Sequence, residues 1–334
     1  MKSKRLILVS SLLIIFGLVI AIVTLSLNQF NFDFLEDDLI SKTYEINDDF
    51  NSIECDLNVA TLNIYQVEGE NKAVCLEKEE ITFTVEVVNN VLKVKEIDNT
   101  KIHISTGLGG QIDVSLFLNK KNIDELKINT DTGDIIILDQ FTFKNVNLNG
   151  DTCDIEFMAQ VENNINISVD TGDVWINKVD FNELNVKTST GDIEINDCII
   201  SNVRLESSTG DIELEYCTIS NDLNIYTDTG DIDIQDSTCN NYTSELSTGK
   251  TEFENVVVNN DLNIKSTTGD IELKFSDALN LYITTSTGDV YATLRTNKIF
   301  NVQSNTGDLK YPETYTGGIC KIRTDTGDVK IEYN

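Results

Sequence analysis

A Thr-Gly-Asp turn that returns every 19 or 20 residues constrains the fold of this chain more than any other feature of its sequence. One copy reads Ser189-Thr190-Gly191-Asp192, and alternating apolar and polar residues flank it, as in half-buried strands. A fixed period of this size is typical of a solenoid, in which each repeat buries its apolar side only against its neighbours. The glycine position of the turn recurs at Gly133, Cys153, Gly172, Gly191, Gly210, Gly230, Gly249, Gly269, Gly288, Gly307 and Gly327.

The repeats predict an all-β fold, a single-stranded parallel β-solenoid (β-helix) of 19–20-residue coils with one ladder of side chains per position. Each coil would rise by about one strand spacing, ~4.8 Å, so the repeats would form a rod on the order of 50 Å long. Glycine is expected at the turn because its backbone bends there without the cost that a Cβ brings. Handedness and cross-section stay open.

The N-terminal region predicts a membrane anchor. Residues 6–27 form an uncharged, mostly apolar run, long enough to cross a bilayer and longer than the apolar core of a cleaved signal peptide. Residues 1–5 carry three basic side chains and are expected in the cytoplasm, so the rest would lie outside the cell. Residues 28–40 are interpreted as a juxtamembrane linker, and residues 41–334 as an extracytoplasmic solenoid, with regular repeats from about residue 126.

Charge and composition exclude two broad classes. The chain has 56 acidic and 25 basic side chains, a net charge of −31, which disfavours binding to nucleic acid because phosphate backbones would be repelled. Disorder, the usual interpretation of a high net charge, is disfavoured because 40% of the residues are hydrophobic and recur periodically.

The two ends of the predicted solenoid lack the regular motif. Residues 41–105 are interpreted as initial coils without it, with a hairpin turn at Asn89-Asn90. At the other end only residues 329–334 follow the last Gly-Asp turn, and if coils stack in chain order, the last rung is an open sheet edge. We hypothesise that a partner could add a strand to that edge.

With these features together, the chain resembles the bacterial putative-adhesin family. The segment YEINDDFNSIECDLNVATLNIY (residues 44–65), followed by coils such as TGDIEI, carries the resemblance over about residues 41–334. Membership implies a β-solenoid outside the cytoplasmic membrane with an adhesin-like or envelope-stress-associated role, and no catalytic residues. Cys153 and Lys250 depart from the turn motif at single coils.

The acids that follow the turn glycine are the one candidate metal site. In a stacked solenoid they would form a column about 5 Å apart, which could bind Ca²⁺ through carboxylate oxygens. The alternative, which we favour, is that each aspartate accepts backbone N–H groups within its own turn, because one carboxylate per turn supplies few of the 6–8 oxygens that Ca²⁺ takes. The column comprises Asp134, Asp154, Asp173, Asp192, Asp211, Asp231, Asp270, Asp289, Asp308 and Asp328.

Other reactive residues give little sign of catalysis or of a cofactor. The seven cysteines form no zinc motif and are expected as buried thiols, except that Cys153, at a turn, is the candidate for an exposed thiol; their disulfide state stays open. His103 is the one histidine and has no nucleophile nearby in the sequence. Asp-Thr-Gly occurs here as one variant of a repeated turn, not as the paired loops of an aspartic protease. Trp175 is predicted to face outward between Val174 and Ile176.

The sequence therefore predicts a protein that is not an enzyme. One hypothesis is an adhesin-like scaffold whose outward faces meet a glycan or protein at the cell surface. The other is an envelope-stress accessory protein that binds another membrane protein of the same cell.

Overall fold

The computed structural model describes residues 39–99, 111–138 and 140–333, and this part contains strands and no helix. The predicted anchor (residues 6–27) and His103 lie outside the described residues. In the described part, no helix is long and apolar enough to span a bilayer. The strands are β1 Ile40–Glu45, β2 Ser52–Leu57, β3 Thr61–Gln66, β4 Lys72–Glu77, β5 Ile81–Val88, β6 Val91–Asp98, β7 Asp113–Leu118, β8 Asn122–Thr132, β9 Ile135–Ile137, β10 Thr142–Thr152, β11 Ile155–Phe157, β12 Gln160–Thr171, β13 Val174–Asn177, β14 Asp180–Thr190, β15 Ile193–Asn196, β16 Ile199–Thr209, β17 Ile212–Glu215, β18 Thr218–Thr229, β19 Ile232–Gln235, β20 Thr238–Thr248, β21 Thr251–Glu254, β22 Val257–Thr268, β23 Ile271–Lys274, β24 Asp277–Thr287, β25 Val290–Leu294, β26 Lys298–Thr306, β27 Leu309–Lys310, β28 Gly318–Thr326 and β29 Val329–Tyr333.

The strands form a parallel β-solenoid, as predicted. From β8 onward each coil contributes one long strand, of 9–12 residues, and then one short strand, of 2–5 residues. The long strands build a 14-stranded sheet, which we call the long-strand sheet, and the short strands a 15-stranded one, the short-strand sheet. Because identical positions stack in register, each residue position becomes a ladder that runs along the rod.

Period-2 alternation places the core between the two sheets. In β14 the side chains of Leu184 and Val186 are buried while Lys187 faces solvent, and in β15 Ile193 and Ile195 are buried. Apolar ladders from both sheets join into one continuous core along the described coils. Each ladder is buried only when neighbouring coils are in place, so stability comes from stacking.

A bulge in the long strands accounts for two of the 20-residue repeats, those that end at Gly230 and Gly269. Between β16 and β18 the register runs from Ile200↔Ile219 to Val203↔Leu223, so β18 has one extra residue between these pairs. The opposite shift follows between β18 and β20, and β22 likewise has one extra residue relative to β20 and β24. One residue is absorbed at the bulge, and the inward and outward ladders on either side keep their alignment.

The N-terminal end is a mixed cap, and our interpretation of it as simple coils was incomplete. The first parallel coil, β2 and β3, packs directly on β8 and β9, and β6 and β7 lie outside it. Strands β1, β4 and β5 then pair antiparallel on the outside. The hairpin at Asn89-Asn90 is confirmed: it joins β5 to β6, and both residues have positive φ, as a two-residue hairpin turn requires.

The C-terminal coils do not stack in chain order, and this overturns the open edge predicted at residues 329–334. Strand β28 lies between β24 and β26, and β29 lies between β25 and β27. The last coil of the chain is thus inserted inside the rod, and the previous coil, residues 298–310, forms its end. A repeat period sets the length of a coil, but it does not specify which neighbour each coil packs against.

A buried ion pair joins this end coil to β24. Lys298, the first residue of β26, places its Nζ 2.7 Å from Asp277 Oδ1, and both side chains are buried. The second carboxylate oxygen of Asp277 accepts hydrogen bonds from Arg295 N and Thr296 Oγ1. The strand between β24 and β26 is β28, and its residue opposite Lys298 is Gly318. Because Gly318 has no side chain, the Lys298 side chain can extend past it to Asp277.

Candidate binding faces of the solenoid

The turn glycines permit a close approach between successive coils. Gly210, for example, has φ +149°, and a Cβ at this position would overlap the carbonyl oxygen of Gly191 in the preceding coil. The same overlap with the neighbouring turn would arise at every turn glycine from Gly172 to Gly327. A side chain at this corner would therefore strain the backbone and push adjacent coils apart.

The aspartates after these glycines form the expected column, but their hydrogen bonds differ from our prediction. Every column carboxylate except that of Asp308, in the end coil, accepts the backbone N–H of the corresponding residue in the next coil rather than one in its own turn; Asp192 N donates to Asp173 Oδ1 at 2.7 Å. At the rod's end Asp328 N donates to Asp289 and Asp308 N to Asp328, following the inserted order. The turns stack in register, so the nearest unpaired donor to each carboxylate belongs to the adjacent coil.

This arrangement commits one oxygen of every column carboxylate but that of Asp308 to the protein backbone. In the described residues no group of three or more His, Cys, Asp or Glu side chains is placed to hold a metal ion. The Ca²⁺ hypothesis would therefore need oxygens drawn from several coils at once.

At Cys153 a thiol occupies the position of the turn glycine, and it is buried, with 3% exposure, so the prediction of an exposed thiol at this turn is wrong. The reason is a second exception to the repeat: Gly150 stands at an inward position of β10, and its missing side chain leaves the space that the Cys153 Sγ fills. Burial raises the pKa of the Cys153 thiol to about 12. All seven cysteines are buried and free.

The outward face of the short-strand sheet carries a ladder of acids. Glu194, Glu213 and Asp233 occupy equivalent positions on adjacent strands. Burial raises the pKa of the Glu213 carboxyl, and the charges of Glu194 and Asp233 add to the shift. Trp175, outward as predicted and 37% exposed, stands next to Glu194 in this ladder. We call this surface the acidic face.

Further along the rod, Lys250 reduces the electrostatic repulsion between acids of this ladder. It replaces aspartate in the turn column, and its ammonium pairs with Glu252 and, at 2.8 Å, with Glu272. Hydrogen bonds from Lys250 and then Lys274 hold the pKa of Glu252 below its usual range. The departure at Lys250 therefore belongs to a local ion-pair cluster and leaves the acids around Glu213 without such partners.

The outward face of the long-strand sheet is different in character and forms a shallow groove. Two adjoining depressions of about 270 and 490 Å³ run across the coils from β10 to β22 and share Lys187 and Glu206. Within them Asn185 donates to Asn166, and Asn166 to Asn147, each at 3.1 Å. This amide ladder fixes the orientation of each side chain.

Charges in the groove are mostly paired, and one aromatic ring lies among them. Arg204 pairs with Glu206, and its guanidinium lies over the Tyr226 ring, 4.5 Å from the centroid. Lys265 Nζ lies 2.6 Å from Glu245. The groove is therefore close to neutral although the coils that form it are strongly acidic.

Sequence reasoning did not identify this groove. Its residues are ordinary outward polar positions in the repeat, and only the stacking of consecutive coils places them side by side. The available signal was the recurrence of asparagine at one position, Asn147, Asn166 and Asn185, at a spacing of 19 residues.

Comparison with solved structures finds similar chains in several bacteria. A putative adhesin from Bacteroides fragilis is 14% identical, over 89% of this chain and 99% of its own, with a TM-score of 0.37. A putative lipid binding protein from Parabacteroides distasonis is 15% identical, over 88% and 99%, with a TM-score of 0.39. A putative adhesin from Parabacteroides merdae is 14% identical, over 76% and 97%, with a TM-score of 0.40. No curated protein gave a match.

Comparison with family models assigns the chain. The Toastrack DUF4097 model matches it twice, at residues 50–248 and 218–334, which together cover every strand from β2 onward and every turn motif. The resemblance seen in the repeated turn is thus confirmed: the chain belongs to the Toastrack DUF4097 family.

Proposed function

We propose that the protein is a non-enzymatic, adhesin-like interaction scaffold, anchored in the bacterial membrane by residues 6–27, with its solenoid outside the cell. The groove on the long-strand sheet is the observation that carries the proposal. It presents oriented amides, the Arg204–Tyr226 stack and paired charges over several consecutive coils.

The groove suits an extended, uncharged glycan. Residues 151–294 carry 28 acidic and six basic side chains, so a polyanion would be repelled from these coils. Asn166 uses one N–H and one carbonyl lone pair within the ladder, and Asn147 only accepts there. Asn185 donates to both Asn166 and Glu183, so it offers its carbonyl oxygen, while Asn147 and Asn166 keep donor and acceptor capacity for hydroxyl or acetamido groups. The ladder repeats every ~4.8 Å, so an extended polymer would meet the same amide groups at three consecutive coils before it reaches Arg204.

A second function is favoured by the acidic face. Glu194, Glu213 and Asp233 offer closely spaced carboxylates, which suit a basic surface on another membrane protein of the same cell. Under this alternative the chain is an envelope-stress accessory protein, and the groove is not its contact surface.

Two single substitutions in the full-length chain distinguish these functions. Asn185→Asp places a charge in the amide ladder with almost no change in size, and Glu213→Gln removes a charge from the acidic face. The first readout is retention of each variant on purified wall polysaccharide; the second is in-cell crosslinking followed by mass spectrometry of the partners.

Under the adhesin-like proposal, Asn185→Asp reduces retention on the polysaccharide and Glu213→Gln does not. If instead crosslinking recovers one membrane protein, and only Glu213→Gln weakens that crosslink, the accessory function replaces the adhesin-like proposal. Equal binding by both variants and the unaltered chain in both assays would refute both assignments of the contact surface.

A further inference from the structure

The C-terminal end of the rod lacks the charge that dominates the rest of the solenoid. Residues 295–334 carry six basic and five acidic side chains, whereas residues 151–294 carry six and 28. Two such rods would repel each other along their sides and much less at this end. End-to-end contact is therefore the geometry that the charge distribution allows.

This end also exposes an unpaired sheet edge. Strand β26 pairs with β28 on one side and with no strand of the described residues on the other. A loop, residues 311–317, covers only its beginning, where Thr314 Oγ1 donates to Lys298 O and Tyr311 packs on Phe300. The backbone of residues 301–306 remains uncovered by this loop.

The outward side chains of β26 do nothing to prevent strand pairing. They are Ile299, Asn301, Gln303 and Asn305, all uncharged, although edge strands are usually protected by charges or proline. The outer strands at the opposite end are charged by comparison: Lys42 and Glu45 lie in β1 and Glu86 lies in β5. Protection against strand addition by charged side chains is thus present in the outer strands of the N-terminal end and missing from β26.

Exposed apolar side chains lie on the three long strands next to this edge. Ile299 of β26 pairs with Ile319 of β28, and Leu279 lies on the next strand, β24; these side chains are 48%, 45% and 55% exposed. On the loop above them the Tyr315 ring is 86% exposed. Contiguous exposed apolar groups on a soluble surface mark an interaction site.

We propose that β26 is a docking edge for a second copy of this chain, which pairs end to end through antiparallel β26 strands related by a two-fold axis. A two-fold contact places the same uncharged side chains opposite one another, so no like charges meet across the new strand pair. The C-terminal ends that meet are nearly neutral in both copies, and the acidic bodies point away from each other. This arrangement keeps electrostatic repulsion between the two copies small. This dimer is independent of the groove and of the function proposed for it.

The test uses the full-length chain with a photo-crosslinking amino acid at Asn301, and a matched control with the same group at Asn263. Asn263 also faces outward on a long strand, β22, but that strand is paired on both sides. Illumination in cells is expected to give a product of twice the chain mass from Asn301, containing only this protein, and none from Asn263.

A second change tests the strand pairing itself. Gln303→Lys in the Asn301 crosslinking chain would place ammonium groups close to each other across the interface and should reduce the product by about tenfold or more. The purified chain should give more product at high salt, because screening weakens repulsion between the bodies. No doubled product, equal product from Asn263, no effect of Gln303→Lys, or crosslinks solely to a different protein would each overturn the proposal.

Discussion

Substitution of Lys298 by methionine tests how the inserted C-terminal coil is held. The Lys298 ammonium and the Asp277 carboxylate lie 2.7 Å apart, with side-chain exposures of 1% and 8%. Lys298→Met keeps the length and volume of the side chain and removes its charge, so Asp277 stays in place without a cationic partner.

The expected cost follows from this burial. Removing one partner of a buried ion pair costs about 3–5 kcal/mol, because the remaining charge is desolvated and uncompensated. Asp277 keeps its hydrogen bonds from Arg295 N and Thr296 Oγ1, so we expect the lower part of that range, ~3 kcal/mol. Since each coil of a solenoid contacts only its neighbours, the loss should be confined to β24 and β26–β29.

Native-state hydrogen exchange of the full-length chain measures this directly. The free energy of opening for amides of β26 and β28 should fall by ~3 kcal/mol, and that for β14 and β16 should not change. The double variant Asp277→Asn/Lys298→Met removes the uncompensated charge and should recover more than half of the loss. A fall below ~1 kcal/mol in the single variant, or an equal fall along the whole rod, would refute this reasoning.

Four further predictions concern the body of the solenoid. Glu213→Gln should stabilise the fold at pH 7, because the raised pKa of Glu213 shows that its ionised form is unfavourable in the folded state. This gain in stability should vanish below the usual carboxyl range, ~pH 4, where Glu213 is protonated in both states. Glu252→Gln, in the same ladder, should destabilise the fold at pH 7, because the lowered pKa of Glu252 shows that its ionised form is stabilised in the folded state. This loss of stability should disappear as the pH falls and Glu252 becomes protonated. Urea unfolding at several pH values measures the effects of both substitutions. Gly150→Ala should cost ~1–3 kcal/mol by overlap with Cys153 Sγ, and Gly150→Ala/Cys153→Gly should recover it, as thermal unfolding would show. The folded protein should react slowly with a thiol reagent at all seven cysteines, and quickly once unfolded.

Specific outcomes would contradict these expectations. Effects of the same sign for Glu213→Gln and Glu252→Gln at pH 7 would show that the ladder charges do not act as described. An additive double variant at Gly150 and Cys153 would show that the two positions are independent. Fast labelling of any cysteine in the folded chain would place that thiol at the surface.

The solenoid class, the coil length and the inward residues followed from the sequence because they depend on local rules. Alternation within a strand decides which side chains are buried, and recurrence of Gly-Asp marks each turn. The hairpin at Asn89-Asn90 was predictable for the same reason, since two residues with positive φ suffice to form it. The direction of the aspartate hydrogen bonds was not, because the donor lies in the next coil.

Only the tertiary structure decided how the coils are ordered and what their surfaces present. Every coil satisfies the same period, so nothing in the repeat shows that β28 and β29 insert before β26 and β27. Likewise, the sequence shows Cys153 as a departure from the turn motif, but only the structure shows that its thiol fills the space left by the missing side chain of Gly150. A period in the sequence determines what each coil looks like, whereas contacts between residues far apart in the chain determine which coils become neighbours and which edge is left open.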